Sequence, residues 1–125
     1  MNENEFTHDV IGACMEVHKL LGPGLLESAY QECLAREMSL RSVPFEKEKP
    51  FPVEYKGVQV DCGYRVDFLV GGLVVVELKS IESVLPVHEA QVLTYMKLAG
   101  CRLGLLVNFN VPVLKDGIRR FVIDV

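Results

Sequence analysis

Two apolar runs, Tyr64 to Val70 and Leu73 to Lys79, flank Gly71-Gly72 near the middle of the chain. Both are apolar at odd and even positions, so neither keeps a face for water. Such runs belong at the centre of a sheet that is covered on both sides. The rest of the chain supplies the cover. Phe6 to Leu21 carries an apolar stripe at Val10, Cys14, Val17 and Leu21, which predicts a helix ended by Gly22-Pro23-Gly24. Thr7 is its expected N-cap, and Phe6 with Ile11 has the spacing of a hydrophobic staple. Leu25 to Arg41 predicts a second helix, apolar at Tyr30, Leu34 and around Met38. His88 to Leu98 predicts a third, closed by Gly100. Phe45 to Lys49, Phe51 to Tyr55 and Gln59 to Asp61 read as short strands, with Lys56-Gly57 as a turn. Leu103 to Phe109 reads as a buried strand and Arg119 to Val125 as the last one. The order α-α-β-β-β-β-β-α-β-β predicts one α/β domain over residues 1–125, a mixed sheet flanked by helices.

Composition narrows the class. With 50% hydrophobic and 24% charged residues, the chain of 125 is neither disordered nor of low complexity. No apolar run approaches the roughly 20 residues of a membrane span. The acidic start, MNENEFTHDV, is unlike a secretory leader, so a cytoplasmic location is expected. A net charge of −4 argues against wrapping nucleic acid by general basicity. It leaves room for a local groove that works with divalent metals. Cys14, Cys33, Cys62 and Cys101 form no CxxC pair, so no zinc site is expected.

Charged residues lodged in apolar elements carry the chemistry. Asp67 interrupts Arg65-Val66-Asp67-Phe68-Leu69-Val70, although Asp is a poor strand former. Glu77 and Lys79 interrupt Val74-Val75-Val76-Glu77-Leu78-Lys79 and, two apart, point to one face. Glu27 shares a helical face with Tyr30, Gln31 and Leu34, and Gln91 shares one with Tyr95 and His88. Taken singly, each has a bland explanation, such as a surface ion pair or a carboxylate at a helix N-terminus.

Parity makes a sharper demand. Residues opposite each other in an antiparallel pair share a face. A two-residue Gly71-Gly72 turn would pair Val70 with Leu73 and turn Glu77 away from Asp67. A three-residue loop, Gly71-Gly72-Leu73, pairs Val70 with Val74 and sets Asp67 opposite Glu77. A bulge within either strand would change the register in the same way, so, if Asp67 and Glu77 belong to one site, the hairpin is expected not to be a plain two-residue turn with unbroken ladders.

In chain order the set is helix Glu27, strand Asp67, strand Glu77-Leu78-Lys79, then helix Gln91 and Tyr95. It resembles the PD-(D/E)XK nuclease superfamily, in its RecB-like branch. Gly24-Leu25-Leu26-Glu27-Ser28-Ala29-Tyr30 is similar to the motif that names the small GxxExxY protein family. The resemblance continues through Pro86-Val87-His88-Glu89-Ala90-Gln91, Gly104-Leu105-Leu106-Val107-Asn108-Phe109 and Lys115-Asp116-Gly117-Ile118. Where the superfamily's name has Pro-Asp, this chain has Val66-Asp67.

The resemblance implies a restriction-endonuclease-like fold and hydrolysis of phosphodiesters, with DNA the expected substrate. Mg²⁺ or Mn²⁺, which favour hard oxygen ligands, would bind Asp67, Glu77 and the backbone carbonyl of Leu78, with Glu27 acting through a water or on a second ion. Lys79 would orient or deprotonate the attacking water. Gln91, Tyr95 and His88 would meet the substrate. Arg65, Lys97, Arg102, Arg119 and Arg120 are candidates to line its approach. A homodimer is expected, since a duplex offers two equivalent strands to a two-fold assembly, and no membrane partner is. The competing reading is a nuclease-fold module that binds nucleic acid or a protein without cleaving. The intact set Glu27, Asp67, Glu77 and Lys79 favours catalysis. A plain structural domain with ion-paired strands does not account for the order of the set. No Gly-rich phosphate loop or HExxH helix points to another enzyme class.

Overall fold

The computed structural model describes residues 1–124. The first helix, α1 (Glu3–Leu21), begins earlier than its apolar stripe suggests. Asn2 caps it by accepting a hydrogen bond from Glu5 N at 2.9 Å. Asn caps as well as Thr, and Glu3 and Glu5 suit the positive end of the helix dipole. Thr7 is therefore inside the helix and buried, its hydroxyl donating to Glu3 O. Phe6 is also helical, so it forms no staple.

The second helix, α2 (Glu27–Leu40), follows a short glycine-rich loop. The strands are β1 (Phe45–Pro50), β2 (Val53–Tyr55), β3 (Val58–Val60), β4 (Arg65–Val70) and β5 (Val74–Lys79). Then come α3 (Pro86–Ala99), β6 (Leu103–Asn108), a short 3-10 turn and β7 (Ile118–Val122). The last strand is shorter than expected, and Val125 lies outside the described residues.

Five strands form one mixed sheet in the order β1-β4-β5-β6-β7. Only β5 and β6 run parallel, joined by the α3 crossover; the other neighbours are antiparallel. The central position of β5 matches its two-faced apolarity. Helices α1 and α2 cover one face, with Val10, Tyr30 and Leu34 packed on Phe68, Val76 and Leu105. Helix α3 covers the other, with Val92, Tyr95 and Met96 on Val75 and Leu106. This is the restriction-endonuclease-like arrangement of a mixed sheet between helices. Strands β2 and β3 stand apart as a two-stranded hairpin. Their residues are exposed or half-exposed, although Val53, Tyr55, Val58 and Val60 are apolar. No helix among the described residues is long and apolar enough to cross a membrane.

The β4–β5 hairpin has the register that parity requires. Val70 pairs with Val74, Leu69 with Val75 and Phe68 with Val76. Gly71 and Gly72 have φ of +59° and +72°, which glycine adopts freely. Leu73 N closes the turn on Val70 O at 3.0 Å, yet Leu73 is left without a cross-strand position. A Cβ on Gly71 would also run into the Phe6 ring, so this glycine admits both the turn and the start of α1.

Candidate active site

One step beyond Phe68 and Val76, the register sets Asp67 opposite Glu77. Regular pairing stops there, and side chains take over. Asp67 N donates to Glu77 Oε1 at 3.1 Å, and Leu78 N donates to Asp67 Oδ2 at 2.8 Å. The other edge of β4 is disturbed at the same level. Lys47 pairs with Phe68 and Lys49 with Val66, but Glu48 between them has φ +53°. Phe68 packs under α1 and α2, whereas Val66 packs with the α3 cluster. Alternate residues of a regular strand share a face, so β4 is twisted out of phase at Asp67. That kink is how a poor strand former is accommodated: its carboxylate caps main-chain groups.

Glu77 is buried, with 5% of its surface exposed. Burial pushes its carboxyl well above the ordinary range, and the neighbouring Asp67 carboxyl pushes the same way. The hydrogen bond from Asp67 N and then the Lys79 ammonium oppose the rise. Lys79 is half-buried, two residues along β5.

Glu27 opens α2 at the edge of the same group. It faces solvent, yet partial desolvation holds its carboxyl above the ordinary value. Lys79 and His88 pull it down and Asp67 pushes it up, so Glu27 belongs to the same electrostatic cluster. The cap residue of α2, Leu26, offers no side-chain cap. The loop before it is held by Tyr30 instead. The fully buried Tyr30 stacks on Phe109 with ring centroids 4.4 Å apart. Its hydroxyl donates to Gly22 O at 2.5 Å and accepts from Leu25 N at 3.2 Å. Ser80, just past Lys79, donates its hydroxyl to Leu25 O at 2.5 Å. The loop that presents Glu27 is thus tied to the core and to the end of β5. Tyr30→Phe should keep the stacking and strand both main-chain partners. A loss of about 1–2 kcal/mol in chemical unfolding is the expected result.

Tyr95 reaches the group from α3. It is buried, and its hydroxyl is harder to ionise because of burial, the Glu77 and Asp67 charges and Tyr64. Gln91 sits one turn earlier and is exposed; both residues line one surface cavity. His88 has a local duty: its Nδ1 accepts from Leu85 N at 2.9 Å and caps α3. Of the basic candidates, Arg102 and Arg119 pair with Glu3 and Glu89, and Arg120 bonds Asn4. They serve their own neighbours.

Gln31 was not among the candidate residues. Its Nε2 lies 3.5 Å from Asp67 Oδ1, facing the pair from α2. The signal was its position one turn after Glu27.

Among the described residues, no three His, Cys, Asp or Glu side chains stand close enough together to hold an ion between them. Asp67 and Glu77 do stand together, and burial, with the Asp67 charge, drives Glu77 toward its protonated form. Mg²⁺ and Mn²⁺ suit such a site, since Mg²⁺ commonly takes one or two carboxylates and keeps several waters.

The sequence profile of the PD-(D/E)XK nuclease superfamily matches residues 4–121. No curated protein and no solved structure gave a match.

Proposed function

Because the chain belongs to the PD-(D/E)XK nuclease superfamily, we propose that it is a metal-dependent nuclease that hydrolyses phosphodiester bonds of DNA, with residues 1–125 acting as one domain. The observation that carries this reading is the placement of half-buried Asp67 beside buried Glu77, joined through Asp67 N and Glu77 Oε1. Two neighbouring carboxyls, one of them buried, oppose folding unless something compensates them. The hydrogen bonds they accept from Asp67 N and Leu78 N offset part of that cost, but not the like charge of the pair. A divalent cation makes sense of it.

Asp67 and Glu77 would hold Mg²⁺ or Mn²⁺, with the Leu78 carbonyl, and Glu27 would act through a water. Such an ion, when bound, supplies positive charge at the phosphoryl oxygens and acidifies a water. Lys79 would orient the attacking water and offset the negative charge that develops on the phosphate. Gln31 would fix the Asp67 carboxylate, and Gln91 and Tyr95 would grip the substrate. The Gly24, Glu27 and Tyr30 spacing supports placing the chain with the GxxExxY proteins, and Gln91 with Tyr95 supports the RecB-like branch.

The test is cleavage of end-labelled single-stranded and duplex DNA and of RNA, with Mg²⁺ or Mn²⁺ and with a chelator. Metal-dependent cleavage of DNA is expected. Binding without cleavage under every condition would replace this reading with that of a non-catalytic module.

A further inference from the structure

The cavity that Gln91 and Tyr95 share is about 330 Å³ and lies between α3 and the β2–β3 hairpin. Tyr64, Thr94, Val53 and Leu98 complete the part of its lining that bears on a ligand, and no lining residue is charged. Tyr64 is 45% exposed, and its ring is tilted 59° to that of Tyr95 with centroids 6.3 Å apart. Its backbone is fixed, because Phe51 N donates to Tyr64 O at 3.1 Å.

We propose that this cavity receives one unpaired nucleobase of a single-stranded nucleic acid whose phosphate lies at the neighbouring carboxylates. The inference rests on the nuclease reading and names its substrate class. Three observations favour this occupant. The lining is aromatic and aliphatic with an amide and hydroxyls, which suits a flat ring with a hydrogen-bonding edge. It is uncharged, so the cavity takes a base rather than a phosphate. It also neighbours the carboxylate group, because Tyr95, which lines it, packs in one cluster with Val66 and Val75 beside Asp67 and on the Glu77 strand. A base held in a duplex stack cannot enter without being extruded, whereas a single strand offers its bases freely.

The experiment measures fluorescence anisotropy of labelled twelve-residue oligo-dT, oligo-rU and a blunt duplex, on the Lys79→Ala chain with Mg²⁺. The single strands should bind at least about tenfold more tightly than the duplex. Adding Tyr64→Ala should weaken single-strand binding roughly 5- to 100-fold, the range for losing one stacked base. Tyr64→Phe should retain it, since the ring is kept. An advantage of dT over rU or the reverse reads the sugar 2′-hydroxyl and the base 5-methyl together, and either supports the proposal. Equal binding of duplex and single strand, no binding of either, or indifference to Tyr64→Ala overturns it. Cleavage by the chain with native Lys79 separates the two readings. Tyr64-dependent single-strand binding without any cleavage leaves the base pocket standing and removes the nuclease. Cleavage indifferent to both Tyr64 and strandedness does the opposite.

Discussion

Lys79→Ala is expected to lower the rate of metal-dependent cleavage about 10²- to 10⁴-fold, the usual loss when a positioned proton-transfer group is removed. The fold should survive. Lys79 stands at the end of β5, half-buried, and its structural contribution is a main-chain one: Lys79 O accepts from Phe109 N at 2.9 Å. The side chain instead acts on charge. Its ammonium lowers the proton affinity of both Glu27 and Glu77. Removing it should therefore push both carboxyls further up, and metal binding should require a higher pH. Lys79→Arg restores the charge but not the compact, rotatable ammonium. It should recover the metal-binding pH profile and little of the rate. Single-turnover kinetics and titration calorimetry across pH distinguish these effects. Wild-type rates in Lys79→Ala would remove this residue from the proposed chemistry.

The parts of the fold set by short-range rules were readable in advance. Two-faced apolarity placed β5 at the centre, and the glycines at 71 and 72 narrowed the hairpin register once Asp67 and Glu77 were required to share a face. Both constraints act over a few residues and leave few alternatives. The start of α1 was misplaced, because Asn2 and Thr7 are comparable caps and an apolar stripe does not extend to the polar first turn. The β2–β3 segments read as strands, but propensity does not say which sheet a strand joins. Gln31 was visible on the face of Glu27, yet only tertiary packing brings α2 against Asp67. α3 carries His88 on the side of Gln91, as its spacing indicates, but its cap to Leu85 N depends on a bend before the helix that periodicity does not encode. The kink at Asp67, with Glu48 at positive φ beside it, had no local signature.

The burial of Glu77 makes stability depend on pH in an unusual direction. Most folded carboxylates are held below their ordinary value and stabilise a protein as pH rises. Glu77 is held above its ordinary value of 4.5. In the metal-free protein the native state then keeps a proton that the unfolded chain has released. That contribution is complete below pH 4.5 and is lost as pH rises toward the folded-state value of about 9. The limiting slope is about 1.4 kcal/mol per pH unit for one proton. Glu77→Gln removes the titration and retains the shape, since the amide can accept from Asp67 N and donate to the Asp67 carboxylate. Without metal, the variant should match the wild type near pH 4.5 and exceed it by a margin that widens with pH, up to about 5 kcal/mol at pH 8. Divalent metal should reverse the ranking at pH 8. The wild type gains stability by binding the ion in its native state, while the variant has lost one ligand and should show neither the gain nor cleavage. Thermal unfolding of both proteins from pH 5 to 8, with Mn²⁺ and with a chelator, measures every term. A difference between them that does not grow with pH in the chelated samples would mean that Glu77 is ionised without a cation, and the reading of the pair as a metal site would lose its main support.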